Sequence, residues 1–216
     1  MKGILSTFAA FAFVLCLAAS VCADAQKTVQ LPEPQMEGGK TLMQALKARC
    51  TTREFSTEAL SAQELSNLLW AACGVNRPDK GLRTAPTAMD KQEIDVYVAL
   101  ADGLYLYDAK ANALDLVLAQ DLREATGKQP FVKDAPVNLV FVADYAKMGD
   151  VPKDVKDFYS ATDTGYISQN VYLYCASAGL ATVVRGWVDR EPLAKAMNLR
   201  SDQKIILAQT VGYPKK

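Results

Sequence analysis

Three short segments carry side chains able to do chemistry, and one residue type that often does it is missing. Arg49-Cys50-Thr51-Thr52-Arg53 sets two guanidinium groups and two hydroxyls in one turn, the donor set that suits a phosphate or a carboxylate. The alternative for that turn is a surface arginine pair facing Glu54 or Glu58. Arg83 to Gln92 is a polar loop in which Pro86, Thr87 and Ala88 leave the backbone open to a flat ligand, with Asp90 and Gln92 to bond its edge. Its plainer reading is a surface loop ahead of an edge strand. In Val184-Arg185-Gly186-Trp187 the glycine lets a backbone N–H point at a ligand, or the segment is only a turn. Histidine is absent, which excludes Ser-His-Asp and Cys-His triads and histidine zinc sites. Any reaction here runs on other groups or on a cofactor.

The chain that must position these groups has 216 residues, half of them apolar, enough for one sizeable core. Its 24 basic and 24 acidic residues cancel, and no basic cluster exceeds Lys215-Lys216, which argues against nucleic acid as a partner. Residues 1–25 read as a signal peptide: Lys2 precedes the uncharged run Ile4 to Ala19, and small-residue cleavage sites end at Ala23 and Ala25. Cleavage after Ala25 leaves a mature, exported, periplasmic chain from Gln26, with membrane attachment only through lipidation at Cys22 or an uncleaved leader. Beyond the leader, Cys50, Cys73 and Cys175 have no paired spacing and read as small buried apolar residues.

Residues 26–40, with Pro32, Pro34, Gly38 and Gly39, form an extended arm, and a single domain fills 41–216. Leu42, Ala45 and Leu46 define one face of a first helix whose next position is Arg49, so that arginine is expected to point inward. Ser61 and Glu64 form a capping box for a second helix, with Leu65, Leu68, Leu69 and Ala72 on its buried face. Ile94–Leu100 and Leu104–Tyr107 read as a hairpin turning at Asp102-Gly103. Val137–Ala143 reads as a strand covered on both faces. A long helix from about Asp163 to Ala178, a strand 181–184, a helix 189–198 and a strand 205–211 complete an α+β pattern.

The chemistry-bearing segments, taken in order, resemble the FMN-dependent nitroreductase superfamily. Arg49, Thr51, Arg53 and Phe55 match its Arg-x-Ser-x-Arg/Lys-x-Phe signature, with Thr for Ser. Pro86, Thr87, Asp90 and Gln92 match Pro-Ser-x-x-Asn-x-Gln, with Thr for Ser and Asp for Asn. Asp163 to Leu173 with Ala178-Gly179-Leu180 resembles its interface helix, and Val211-Gly212-Tyr213-Pro214-Lys215 its last strand and basic tail. Arg83-Thr84-Ala85-Pro86 and Gly103-Leu104-Tyr105-Leu106-Tyr107-Asp108 are similar to the SagB-type azoline dehydrogenases, whereas Met89-Asp90-Lys91-Gln92 departs from that branch.

The resemblance implies a nitroreductase fold, a mixed or antiparallel sheet flanked by helices, in an entwined homodimer with FMN at the interface. It implies that Arg49 and Thr51, with the intervening Cys50 and with Lys215 or Lys216, bind the FMN phosphate, and that Arg53 lies at the pyrimidine edge. Pro86, Thr87, Ala88, Asp90 and Gln92 would come from the partner subunit, and Val184, Arg185 and Gly186 would offer backbone donors. Tyr159, Tyr166 and Tyr172 are expected as packing. Flavin N5 then carries hydride to or from a small organic or peptide-derived substrate, with NAD(P)H as a transient donor. The competing class is a non-catalytic exported protein that sequesters flavin or another small ligand on the same fold.

Overall fold

A computed structural model describes residues 27–216; the leader and its cleavage or lipidation lie outside the described residues. Seven strands form one antiparallel sheet in the order β1-β6-β5-β4-β7-β9-β8. They are β1 (Thr28–Gln30), β4 (Ile94–Leu100), β5 (Gly103–Asp108), β6 (Ala113–Leu118), β7 (Val137–Asp144), β8 (Ala181–Arg185) and β9 (Gln203–Gly212); β2 (Val75–Arg77) and β3 (Leu82–Arg83) pair separately. The helices are α1 (Leu42–Ala48), α2 (Ala62–Cys73), α3 (Lys153–Ala178) and α4 (Arg190–Ala196).

The continuous apolar run of β7 has the reason anticipated: it lies between β4 and β9 and every residue is buried. Its alternation splits the core in two. Val137, Leu139 and Phe141 join Leu68, Leu69 and Ala72 of α2 and Ile167, Val171 and Cys175 of α3. Val140 and Val142 join Tyr97, Ala99, Leu193 of α4 and Met197 just after it.

Several local expectations shift. The hairpin turns on Ala101-Asp102, because Gly103 already pairs with Leu100. β6, unmarked in the sequence reading, pairs with β5 and receives the N-terminal arm as the edge strand β1. The long helix begins ten residues before Asp163, directly after Pro152, and Gly179 closes it in the left-handed conformation. The α2 capping box forms as read.

The largest correction concerns α1. Only Ala45 is buried; Leu42 and Leu46, placed on the core face by spacing, are 63% and 44% exposed, and Met43 is 73% exposed. Arg49, next on that face, is exposed as well. The periodicity is real, but among the described residues nothing covers its apolar stripe.

Candidate functional site

Arg49 caps the C-terminal end of α1, and the chain then runs across the end of β8, tied there by the Thr52 N–H donating to the Thr182 carbonyl at 3.0 Å. The Thr51 hydroxyl sits 3.1 Å from the Tyr172 hydroxyl of α3. That phenol also accepts the Val184 backbone N–H at 3.0 Å. The Arg49 guanidinium lies over the same ring, 5.4 Å from its centroid. Tyr172, expected as packing, is thus the joint between turn, helix and strand. No local signal marks it, because at helical spacing it is one aromatic among several.

The C-terminal tail returns to this turn. Phe55 bridges Pro214, the Lys215 N–H donates to the Glu54 carbonyl at 3.3 Å, and Arg53, Lys133, Lys215 and Lys216 border one open cleft with Phe55 and Phe131. Glu54 and Asp134 border the same cleft, so the four cations leave it with a positive excess, and among the described residues none of the four is in an ion pair. The alternative pairing of Arg49 and Arg53 with Glu54 or Glu58 is likewise absent among the described residues. Cys50 is exposed, not buried, and its sulfur is 3.7 Å from the Thr52 hydroxyl.

The third segment corrects one expectation, that of a free Val184 donor. The Val184 N–H is already engaged by Tyr172, and the Arg185 side chain turns into the protein, 3% exposed. Its guanidinium donates to the Thr126 carbonyl at 2.7 Å, the Asn138 side chain at 2.9 Å and the Thr210 hydroxyl at 2.9 Å, all neutral acceptors. Burial alone pushes its pKa down to about 10. Gly186 remains a candidate: it is exposed, and a side chain there would meet only Leu207, at 3.7 Å. Neither packing nor a left-handed backbone in this chain demands the glycine.

The remaining segment lies elsewhere. Loop 84–92 leads into β4, a central strand and not an edge, and packs against α3 at Asp163. Met89, Asp90 and Gln92 all hold left-handed backbone, with φ of 55°, 51° and 47°. Gln92, expected to bond a ligand, is spent on the loop: it accepts from Arg83 at 2.8 Å and donates to the Gly81 carbonyl at 3.1 Å. The Ala88 N–H donates to Asp163 and the Thr87 hydroxyl to Glu93. Pro86 and Asp90 stay exposed. The structure therefore brings Arg49, Cys50 and Thr51 to Tyr172 of α3, puts Arg53, Lys215 and Lys216 on one cleft beside that turn, sets Gly186 at the opposite end of β8 from the tail, and leaves Pro86 to Gln92 apart at Asp163.

Residues 46–213 match the Nitroreductase family. The chain belongs to the nitroreductase family. A nitroreductase-named protein of Methanocaldococcus jannaschii is 32% identical over 74% of this chain and 84% of its own length. The fold agrees with a crystal structure named for the same activity from Ralstonia eutropha JMP134, with 48% identity, 88% of this chain and 90% of that one covered, and a TM-score of 0.84. Fold likeness extends to the Escherichia coli microcin synthetase McbBCD complex, with a TM-score of 0.71, 18% identity, and 96% of this chain and 85% of that one covered. It extends also to a Desulfovibrio desulfuricans protein solved in complex with FMN, with a TM-score of 0.60, 20% identity, and 82% and 88% covered.

For this nitroreductase-family oxidoreductase the donor set fits a phosphorylated planar cofactor. The Thr51 hydroxyl and the Arg49 guanidinium meet at Tyr172, Arg53, Lys215 and Lys216 are free of ion pairs among the described residues, and Gly186 presents an open backbone face at the end of β8. Leu42, Met43 and Leu46 of α1 form an exposed apolar stripe.

Proposed function

We propose that this chain is an exported FMN-dependent oxidoreductase that works as a homodimer. The observation that carries the reading is the Thr51–Tyr172–Val184 link, which holds a cationic turn against the end of β8 beside Gly186. Arg49 and Thr51, with Cys50 between them and Lys215 or Lys216 from the tail, bind the phosphate; Arg53 faces the flavin's electron-accepting edge, where a fixed positive charge favours the reduced form. Gly186 lets the backbone approach the ring system. Pro86, Thr87 and Asp90 are contributed by a second copy, for which the uncovered Leu42, Met43 and Leu46 stripe is the natural seat. The aspartate keeps an acceptor for a ring N–H but lacks an amide donor, so it opposes Arg53 in setting the potential.

Bound FMN supplies hydride exchange at N5 with a small organic or peptide-derived substrate. Exposed Trp187, next to Gly186, gives an aromatic wall beside that position. NAD(P)H is one donor; an exported enzyme requires another if none reaches it.

The test is the visible spectrum of the purified protein, before and after FMN, then after NADPH without oxygen. Flavin bands that bleach with NADPH establish the enzyme with that donor. Bands that bleach only with dithionite point to a different donor, and bound flavin that no donor turns over favours sequestration. Failure to retain FMN under any condition overturns the proposal.

A further inference from the structure

Loop 84–92 is strained at three non-glycine positions, and two of its ties to the body of the protein, those of Thr87 and Ala88, end on carboxyl groups. Glu93, immediately before β4, is fully buried; its Oε2 accepts from Thr87 at 3.1 Å and its Oε1 has no partner. Facing it from α3 is Asp163, 3% exposed, whose Oδ2 accepts the Ala88 N–H at 2.8 Å. The two carboxyls border the same small cavity, of about 20 Å³.

No cation neutralises them. Among the described residues neither is in an ion pair. Arg83, from β3, lines the cavity but is committed to Gln92 and lies against the Cys73 thiol. Cys73, from α2, is neutral at ordinary pH because burial pushes it up to about 11. The Tyr145 phenol, after β7, donates to Asp157. Burial without a cation, with Asp163 on the same cavity, favours the neutral form of Glu93. A proton there makes the free Oε1 a donor toward that cavity.

We propose that a proton held on buried Glu93, facing the cavity that Asp163 borders, latches loop 84–92 to the body of the protein and that the latch opens as pH rises. Burial first, and the neighbouring Asp163 charge second among the raising influences, hold the Glu93 carboxyl above its ordinary range. A group whose folded value is raised stabilises the closed form fully below its unfolded value and loses that effect as pH climbs through the folded one. Loop opening is a property of this chain alone; its effect on flavin, which the loop's Pro86, Thr87 and Asp90 would contact from a partner, rests on the functional reading above.

The experiment is amide hydrogen exchange of residues 87–92 in the whole protein, wild type against Glu93→Gln at each pH from about 5 to 8.5. Glutamine keeps the shape and donates permanently. The wild-type opening constant, relative to the variant, is expected to rise up to tenfold per pH unit above the ordinary glutamate value and level off at the folded Glu93 value. Asp163→Asn, which removes the neighbouring charge but leaves Glu93 buried and ionisable, should flatten the curve in part and serves if Glu93→Gln fails to fold. Parallel curves for wild type and both variants overturn the latch. Absence of FMN binding at every pH would overturn the functional reading while the exchange curves still decide the latch.

Discussion

Removing one oxygen, by Tyr172→Phe, tests whether the phenol is a joint or merely a packed ring. The ring is 7% exposed and stays in place under Arg49, so the cation–π contact and the apolar packing survive. What goes is the acceptor for the Val184 N–H at 3.0 Å and the partner of the Thr51 hydroxyl at 3.1 Å. Each such bond contributes about 1 kcal/mol net, and Thr51, being exposed, recovers most of its loss from water. Val184 is half-buried and recovers less. The expected destabilisation is about 1–2 kcal/mol, read as a lower urea midpoint with an unchanged slope. FMN binding should also weaken, because the Thr51 side chain must then be ordered on binding at a cost of about 0.5–1.5 kcal/mol, or about two- to tenfold in Kd. Titration of flavin fluorescence into both proteins gives that ratio. A variant that loses stability but binds FMN as wild type does would refute the role of the turn in binding, since a packing defect alone moves only the first reading.

Three further outcomes are expected. Leu46→Asp should raise the dimer dissociation constant by about 10- to 100-fold in sedimentation, the loss of one buried leucine from an interface, with the monomer still folded because Leu46 is 44% exposed within the chain. Gly127→Ala should cost about 2–4 kcal/mol in urea denaturation: its backbone is extended and tolerates any residue, but the new Cβ would fall 1.9 Å from an Arg185 nitrogen and force the guanidinium off its acceptors. With protein starting at residue 27, one thiol per chain, Cys50, should react quickly with a disulfide reagent, while buried Cys73 and Cys175 react only on unfolding. Added FMN should slow Cys50 if it sits in the phosphate turn; an unchanged rate argues against that placement.

How much was legible follows from which signals are local. The α2 capping box, the β7 run and the glycine after α3 are written within a few residues of where they act, and each appears where read. β6 escaped because Asp115 interrupts a short run whose role comes from its partners, β5 and β1. The α1 face misled because periodicity says that a stripe will be covered, not by which molecule. The donor residues of the turn were visible as types and spacing. Tyr172 was not, since its function comes from two groups far away in sequence that meet only at its hydroxyl. Arg185 looked like part of a binding strand, but strand alternation sends its side chain to Asn138 and Thr210 on the inner sheet, the opposite side from any ligand at Gly186.

The division of the site between two places has a simple geometric cause. Asp163 anchors one group of candidate residues and Tyr172 the other, and both belong to α3. Nine positions on an α-helix span about 13–14 Å and two and a half turns, so the two anchors point to opposite sides of the helix. No bending of loop 84–92 within its own chain, tied as it is at Thr87, Ala88 and Gln92, brings it round to the cationic turn. A helix that carries half a site on each side is put to use when two such helices lie side by side, each offering to the other the half that it cannot use itself. The uncovered stripe of α1, which packs on the same helix through Ala45, is where such a pairing would bury apolar surface. On this argument Leu46→Asp should weaken FMN binding as well as dimerisation, without touching any residue of the phosphate turn, and a monomer that binds FMN with full affinity would break the chain of reasoning at this step.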